Sequence, residues 1–239
     1  MKHALTLIAV ASLMAAGSAH ADVVAQWNFN SVPADSSTST GSTAASTGAG
    51  TLSLIGGVTG GFASGASNGG STDPVVTDDT GFQTTGYAAQ GTGDKTAGVQ
   101  FNISTLGYQD VVISYDLRHS NTSSRYEMFQ YSLDGVSFVD YATFDGNAGD
   151  TWFNARTIDL SSIAGADNNA NFAFRVVATY APGSSAYAAS STAYATTGTW
   201  RFDMVTLNAV SAVPEPETYG MLLSGLALLA GVARRRNKA

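Results

Sequence analysis

The sequence predicts an all-β protein whose main domain is an antiparallel β-sandwich, with a hydrophobic C-terminal helix outside that domain. About eight to ten short segments alternate apolar and polar residues with the period of two that half-buried strands require. Clusters of Gly, Asn, Asp and Ser separate these segments. Between residues 22 and 212 no segment has the 3.6-residue period of an amphipathic helix, so strands dominate the prediction.

The first 21 residues have the features of a signal peptide. A short basic start, Met1-Lys2-His3, precedes an apolar run over residues 4–16. Ala19 and Ala21 then satisfy the small-x-small rule for cleavage. We therefore predict cleavage after Ala21 and export across the inner membrane. The sequence contains no cysteine, so disulfides cannot stabilise the exported domain.

The predicted domain, residues 22–212, is strongly acidic. It contains six basic and sixteen acidic residues, a net charge of −10 that the overall −7 conceals. Nucleic acid is excluded as a predicted partner, because phosphate binding requires clustered Lys and Arg. The length is sufficient for one domain with a sizeable core.

The strands of the predicted domain begin at residues 23–30. A Ser/Thr/Gly-rich insertion follows over about 31–96, where we expect long surface loops with one short strand at Thr51–Ile55. The next strands are predicted at 99–103, 111–118, 126–133, 136–144, 151–160, 171–180 and 199–209. Asp134-Gly135 joins two of them, and this pair favours a two-residue hairpin loop of type I′.

The tail, residues 213–239, differs from everything before it. Val213-Pro214-Glu215-Pro216 forms a hinge, because both prolines favour extended backbone and so delay the start of a helix. Residues 219–233 are uncharged and predict a transmembrane helix. This span is shorter than the roughly 20 residues that a permanent anchor needs. Arg234, Arg235 and Arg236 then keep the end of the chain on the cytoplasmic side.

This tail resembles the PEP-CTERM sorting signal of Gram-negative bacteria. The resemblance implies that an exosortase recognises the tail and removes it, after transient anchoring in the inner membrane. It also implies delivery to the cell surface or to an extracellular polysaccharide matrix. The sorting-motif residues are Val213, Pro214, Glu215, Pro216, Arg234, Arg235 and Arg236. The expected function is that of a non-catalytic surface or matrix protein associated with exopolysaccharide and biofilm.

A second resemblance concerns the domain. The hairpin at 130–138 and the late strand at 200–207 resemble jelly-roll domains of the galactose-binding or carbohydrate-binding-module type. Such domains often hold a structural calcium ion between their first and last strands. The resemblance therefore implies a calcium site at Asp203 together with Asn28 or Asn30. No other cofactor is expected.

Few residues of the domain are suited to catalysis. His119 is the only histidine after Ala21, and its position at the end of a strand predicts a solvated loop residue. Glu127 is predicted on an exposed strand position. Sugar binding requires exposed aromatic faces, for which Trp152, Tyr187 and Tyr194 are the candidates. No catalytic residues are predicted. The alternatives are a carbohydrate-binding module and a secreted glycoside hydrolase built around Glu127 or His119.

Overall fold

The computed structural model describes residues 21–212 and 216–236. The first range lies in one compact unit, and helix α1 (Pro216–Arg236) belongs to a second unit. Within the described residues, the first unit contains twelve strands. These are β1 (Ala21–Trp27), β2 (Thr47–Gly48), β3 (Thr51–Ile55), β4 (Thr59–Ser64), β5 (Thr80–Thr85), β6 (Gly98–Asn102), β7 (Tyr108–His119), β8 (Tyr126–Ser132), β9 (Val139–Asp145), β10 (Thr151–Asp159), β11 (Ala173–Thr179) and β12 (Trp200–Ser211).

The twelve strands form two sheets. The seven-stranded sheet runs in the order β10-β7-β12-β1-β2, and β5 pairs with both β12 and β4. The five-stranded sheet has the order β3-β6-β11-β8-β9. All strand pairs between described residues are antiparallel. The predicted jelly-roll-like β-sandwich, with a C-terminal helix outside the sheets, is confirmed.

Aromatic side chains fill the core between the sheets. The rings of Trp27 and Phe101 lie 5.0 Å apart, and Phe101 stacks on Phe174 at 4.9 Å. Phe129 stacks on the other side of Phe174 at 5.4 Å. All four side chains are fully buried, and each contributes about 1.5–3 kcal/mol through its removal from water. The period-two alternation in the sequence therefore identifies the inward face of these strands correctly.

The Ser/Thr/Gly-rich segment at 31–96 contributes four strands. The expected strand at Thr51–Ile55 is confirmed, and the other three lie where long loops were expected. One of them, β5, pairs with the last strand and buries Phe82 against Phe29 at a ring distance of 5.4 Å. The glycines that hide this pattern in the sequence are required by the packing. A Cβ atom at Gly60 would lie 2.4 Å from the Phe82 ring. Small residues here allow backbone to approach aromatic rings closely.

The predicted two-residue hairpin loop at Asp134-Gly135 is wrong. Strand β8 ends at Ser132 and β9 begins at Val139, which leaves six connecting residues. The Asp134 carboxylate accepts hydrogen bonds from the backbone amides of Ser137 and Val136 at 2.6 and 2.8 Å. These amides hold the pKa of Asp134 well below its usual range. A side-chain-capped turn therefore replaces the type I′ loop.

The predicted signal peptide and most of the hinge lie outside the described residues. The signal peptide up to residue 20, with Ala19, falls there, as do Val213, Pro214 and Glu215 of the hinge. Helix α1 extends beyond the predicted 219–233 in both directions. Among residues 21–212 and 216–236, no helix combines the length and apolar character that crossing a membrane requires.

Candidate functional site

Three carboxylates converge on the outer face of the seven-stranded sheet. Asp203 lies on β12, Asp79 immediately precedes β5, and Asp73 lies in the connecting segment at 65–79, which we call the covering loop. One carboxylate oxygen from each residue lies within 4.8 Å of the others. Asp79 and Asp203 are buried, whereas Asp73 is half-buried. The pairing of β5 with β12 brings these residues together from distant parts of the sequence.

Hydrogen bonds fasten the covering loop to the sheet. The Trp152 indole N–H donates to the Ser67 carbonyl at 2.8 Å. The Ser71 hydroxyl donates to Asp203 Oδ2 at 2.7 Å. The backbone N–H and the hydroxyl of Thr72 both donate to one oxygen of a buried aspartate in β7, Asp116. The loop therefore closes over the outward-facing charged residues of the central strands.

Asp116 has a structural role in this arrangement. Its second oxygen accepts a hydrogen bond from the Ala155 backbone N–H at 2.7 Å. Ala155 has a φ of 54° and lies where the pairing of β10 with β7 shifts register. The bulge turns this N–H toward the carboxylate, so both Asp116 oxygens have donors.

Unlike Asp116, Asp79 has a carboxylate oxygen that accepts no hydrogen bond from the described residues. Its Oδ1 atom is buried without a hydrogen-bond partner, and the side chain is only 5% exposed. Both carboxylate oxygens of Asp78 are also buried without partners. Leaving a buried carboxylate oxygen unpaired is costly, because the group has lost its water without gaining a donor.

Burial and mutual repulsion change the acidity of this cluster. Burial is the main cause that raises the pKa of Asp203 to about 9, and the charges of Asp73 and Asp79 add to it. Burial and the charge of Asp73 raise the pKa of Asp79 to about 6. The folded cluster therefore binds protons more tightly than ordinary carboxyl groups with a pKa of 3.8.

These shifts predict a pH dependence of stability in buffer free of divalent cations. Between 3.8 and about 9 the folded Asp203 holds a proton that the unfolded chain has released. The contribution of Asp203 to the free energy of unfolding is therefore expected to fall as pH rises through this window. Urea denaturation at several pH values measures it. Asp203→Asn, which does not titrate, is expected to flatten the curve, and an unchanged slope in this variant would contradict the assignment.

Two arginines lie beside the carboxylates. Arg118 on β7 is directly opposite Arg201 on β12, and both are largely buried. Arg118 pairs with Asp150 at 2.5 Å, and Arg201 donates to Gln83 Oε1 at 2.7 Å. Burial and the neighbouring Arg118 lower the pKa of Arg201 to about 10. Both guanidinium groups thus already bond to residues outside the three-carboxylate cluster.

The residues predicted for calcium are partly brought together. Asp203 and Asn30 both lie at the acidic cluster, where the Asn30 amide donates to Asp73 Oδ2 at 2.8 Å. The Asn30 carbonyl oxygen accepts from the Thr80 N–H at 2.8 Å. Asn28 is placed differently, with its side-chain oxygen 3.4 Å from the Asn30 N–H. Sequence reasoning missed Asp73 and Asp79, whose only signal was that they and Asp78 are the charged residues of the segment at 56–93.

The aromatic residues predicted for sugar contact do not form an exposed surface together. Trp152 is 7% exposed and lies beneath the covering loop. Tyr187 is 3% exposed, stacks on Tyr194 at 4.8 Å, and donates its hydroxyl to the Gly93 carbonyl. Tyr194 is half-buried. The expectation that Trp152 and Tyr187 are exposed is therefore wrong, because neighbouring loops fold back over both rings.

His119 and Glu127 are also buried, contrary to expectation. Both side chains are 0% exposed, with His119 Nε2 at 2.9 Å from Glu127 Oε2. His119 Nδ1 lies 2.9 Å from the Ser124 carbonyl, which can only accept, so Nδ1 carries a proton. Arg156 Nε lies 2.9 Å from Glu127 Oε1. We call His119, Glu127 and Arg156 the buried charge cluster.

The outer face of the five-stranded sheet carries a connected row of polar side chains. Arg175 donates to Gln130 Oε1, and Gln130 donates to Asp140 Oδ1 at 2.5 Å. Lys95 Nζ lies 2.5 Å from Asp140 Oδ2. The Arg175 guanidinium lies 4.1 Å from the centroid of the Phe138 ring. We call these five residues the polar ladder.

Comparison with protein-family models identifies the tail. The PEP-CTERM protein-sorting motif matches residues 212–237. The chain carries a PEP-CTERM sorting signal. This signal marks an exported protein that is transiently anchored by its C terminus, processed by an exosortase and sorted to the cell surface. The comparison with curated proteins finds no match.

Solved structures show distant similarities of shape to this chain. The tandem CBM22-1–CBM22-2 domain of Paenibacillus barcinonensis Xyn10C is 13% identical with a TM-score of 0.47, covering 84% of this chain and 49% of its own. The CBM22-1–GH10 modules of Clostridium thermocellum xylanase 10B, complexed with xylohexaose, are 14% identical with a TM-score of 0.42, covering 69% and 27%. A cleaved adhesin domain of Lys-gingipain from Porphyromonas gingivalis is 13% identical with a TM-score of 0.36, covering 67% and 98%. The chain thus spans about half or less of the first two proteins.

Proposed function

We propose that this protein is a non-catalytic component of the extracellular matrix of a Gram-negative bacterium, where it associates with exopolysaccharide and biofilm. The sorting signal at 212–237 is the observation that carries the proposal. An exosortase removes the tail, and the acidic β-sandwich before it is the part that reaches the surface. Exopolysaccharide is the proposed partner, because the sorting signal implies delivery to the surface or to a polysaccharide matrix.

The burial of the two candidate catalytic groups supports a non-catalytic role. A general acid or base must come within hydrogen-bond reach of its substrate. His119 and Glu127 are fully enclosed and bonded to each other. Glycoside hydrolysis also requires a second carboxylate across a cleft. Glu127 instead faces Arg156 and the Tyr115 hydroxyl, so the hydrolase alternative has no support from this geometry.

A carbohydrate-binding module is the second candidate function, and the polar ladder favours it. Sugars are recognised by aromatic faces together with amide, guanidinium and carboxylate groups that fix their hydroxyls. The ladder offers all of these on one sheet face, with Phe138 beside Arg175 and with Gln130 beside Asp140. This face replaces Trp152, Tyr187 and Tyr194 as the surface where a glycan would be sought.

Replacing the hinge triplet tests the proposed route to the matrix. Pro214→Ala, Glu215→Ala and Pro216→Ala together are expected to leave an uncleaved chain in the membrane fraction, because the exosortase no longer recognises the tail. Immunoblots of membrane, surface and matrix fractions measure this, with intact mass reporting tail removal. Glu217→Ala, a change of one charge just outside the triplet, is the control and should be sorted normally.

The same strains test the matrix role. The triplet variant and a deletion strain are expected to retain less exopolysaccharide and biofilm than the Glu217→Ala strain. Normal biofilm in the deletion strain would contradict the matrix role. If the purified protein is retained on a polysaccharide column and the deletion strain forms normal biofilm, the function as a carbohydrate-binding module is favoured instead.

A further inference from the structure

The acidic cluster beneath the covering loop has the composition of a cation site. We propose that Asp73, Asp79 and Asp203 bind one divalent cation of the calcium class, which fastens the covering loop to the seven-stranded sheet. This inference concerns the domain itself and does not depend on the proposed matrix function.

The spacing of the three carboxylates is the first observation. One oxygen of each residue lies within 4.8 Å of the other two. Three like charges at this distance repel one another strongly in a buried environment. They are stable together when protons or a cation neutralise them. A cation held by all three would convert this repulsion into attraction.

The unpaired oxygen of Asp79 is the second, independent observation. Asp79 Oδ1 is buried without a hydrogen-bond partner. A Cβ atom built on Gly65 would lie 1.7 Å from this oxygen and 2.8 Å from Asp203 Oδ2. Both oxygens therefore face the same small volume, which the missing side chain of Gly65 leaves free. Buried polar atoms are almost always paired, so an unpaired oxygen that faces a second buried carboxylate indicates a missing ligand.

The balance of charges on this face also favours a bound cation. Four buried or half-buried carboxylates belong to it: Asp73, Asp79, Asp116 and Asp203. Arg118 and Arg201 are the described cations beside them, and Arg118 is already paired with Asp150. A divalent cation offsets the excess negative charge. Without it, the cluster must take up protons to remain buried.

The ligand set favours calcium. Carboxylate oxygens are the donors that hard cations prefer, and calcium accepts irregular arrangements completed by water or backbone carbonyls. Asp73 is half-buried, so water can reach the site. Magnesium demands a more regular octahedron. Asn30 acts as a positioning residue, because its amide group holds Asp73 and its carbonyl is occupied by the Thr80 N–H.

The position of the ligands in the chain gives the site a mechanical role. Asp73 lies within the covering loop, Asp79 ends it, and Asp203 belongs to the last strand of the sheet. A shared cation therefore joins the loop to the sheet directly. Its removal is expected to loosen the loop over Arg118 and Arg201 and to speed hydrogen exchange at 65–79.

Calcium titration of the full chain in detergent tests this site. After removal of cations by chelation, isothermal calorimetry is expected to show one calcium ion bound per chain. Asp79→Asn and Asp73→Asn are each expected to weaken binding at least about tenfold, because each removes one charged ligand. Asp110→Asn, an exposed change of the same charge, is the control and should bind like the unmodified chain.

Hydrogen exchange supplies the second readout and guards against misfolded variants. Calcium is expected to slow exchange at 65–79 in the unmodified chain and in Asp110→Asn, but not in Asp73→Asn. Because Asp73 is half-buried, that variant should fold even if Asp79→Asn does not. The proposal is overturned if calcium binds no tighter to the unmodified chain than to Asp73→Asn. It is also overturned if magnesium binds and calcium does not.

Discussion

Glu127→Gln is expected to lower the free energy of unfolding by about 3–5 kcal/mol, because it breaks a buried ion pair from one side. The Glu127 carboxylate lies 2.9 Å from both His119 Nε2 and Arg156 Nε, with no exposure to water. Gln keeps the shape but not the charge. Arg156, held between the rings of Phe144 and Phe153, would lose its counterion.

Urea denaturation followed by circular dichroism measures this loss. Asp145→Asn is the matched control, since it breaks the pair between Arg125 and Asp145 at the surface. Exposed pairs contribute about 0–1 kcal/mol, so the control should change little. Equal effects of the two variants would show that the buried charge cluster adds nothing beyond a surface ion pair.

The buried charge cluster also illustrates what the sequence could not predict. His119 was expected in a solvated loop and Glu127 on an exposed strand position, yet both are enclosed between the sheets. The reason is non-local, because His119 ends a strand of one sheet and Glu127 lies on a strand of the other. Gly146 passes so close that a Cβ atom there would lie 2.5 Å from the His119 ring. The alternation of apolar and polar residues within one strand does not show which residues of the other sheet will contact it.

The alternation of apolar and polar residues correctly predicted which side chains of several strands face the core. In β6, Val99 and Phe101 alternate with polar residues and both face the core, as predicted. In β12, Trp200 and Phe202 do the same. In the segment at 31–96 the pattern identified only the strand at Thr51–Ile55. Elsewhere in that segment, glycines such as Gly41 and Gly60 pack against aromatic rings and leave no hydrophobic period to detect.

The residues of the candidate cation site were only partly predictable from the sequence. Asp203 and Asn30 were predicted from a resemblance, and the structure places both at the acidic cluster. Asp73 and Asp79 could not be predicted, because only the pairing of β5 with β12 places them beside Asp203. The sorting signal differs from the site in this respect. Its residues are contiguous, so the sequence alone was enough to recognise it.

Trp200→Ala is expected to lower the free energy of unfolding by about 3–5 kcal/mol, because it leaves a cavity at the centre of the core. The indole ring is fully buried and lies 4.9 Å from the Tyr87 ring and 5.3 Å from the His119 ring. Trp200→Phe retains part of this packing and should cost less. Val136→Ala, at an exposed position, is the control and should stay within about 0.5 kcal/mol of the unmodified chain.

The effects of Trp200→Ala and Glu127→Gln should not be additive. The Trp200 indole N–H donates to the Ser124 carbonyl at 2.9 Å, and His119 Nδ1 lies at the same distance from the same oxygen. Removing the indole lets His119 shift, and His119 is the partner that Glu127 holds. Residues that share a partner typically couple by about 0.5–3 kcal/mol in a double-mutant cycle. A coupling energy of zero would mean that the core and the buried charge cluster are energetically independent, despite the oxygen that they share.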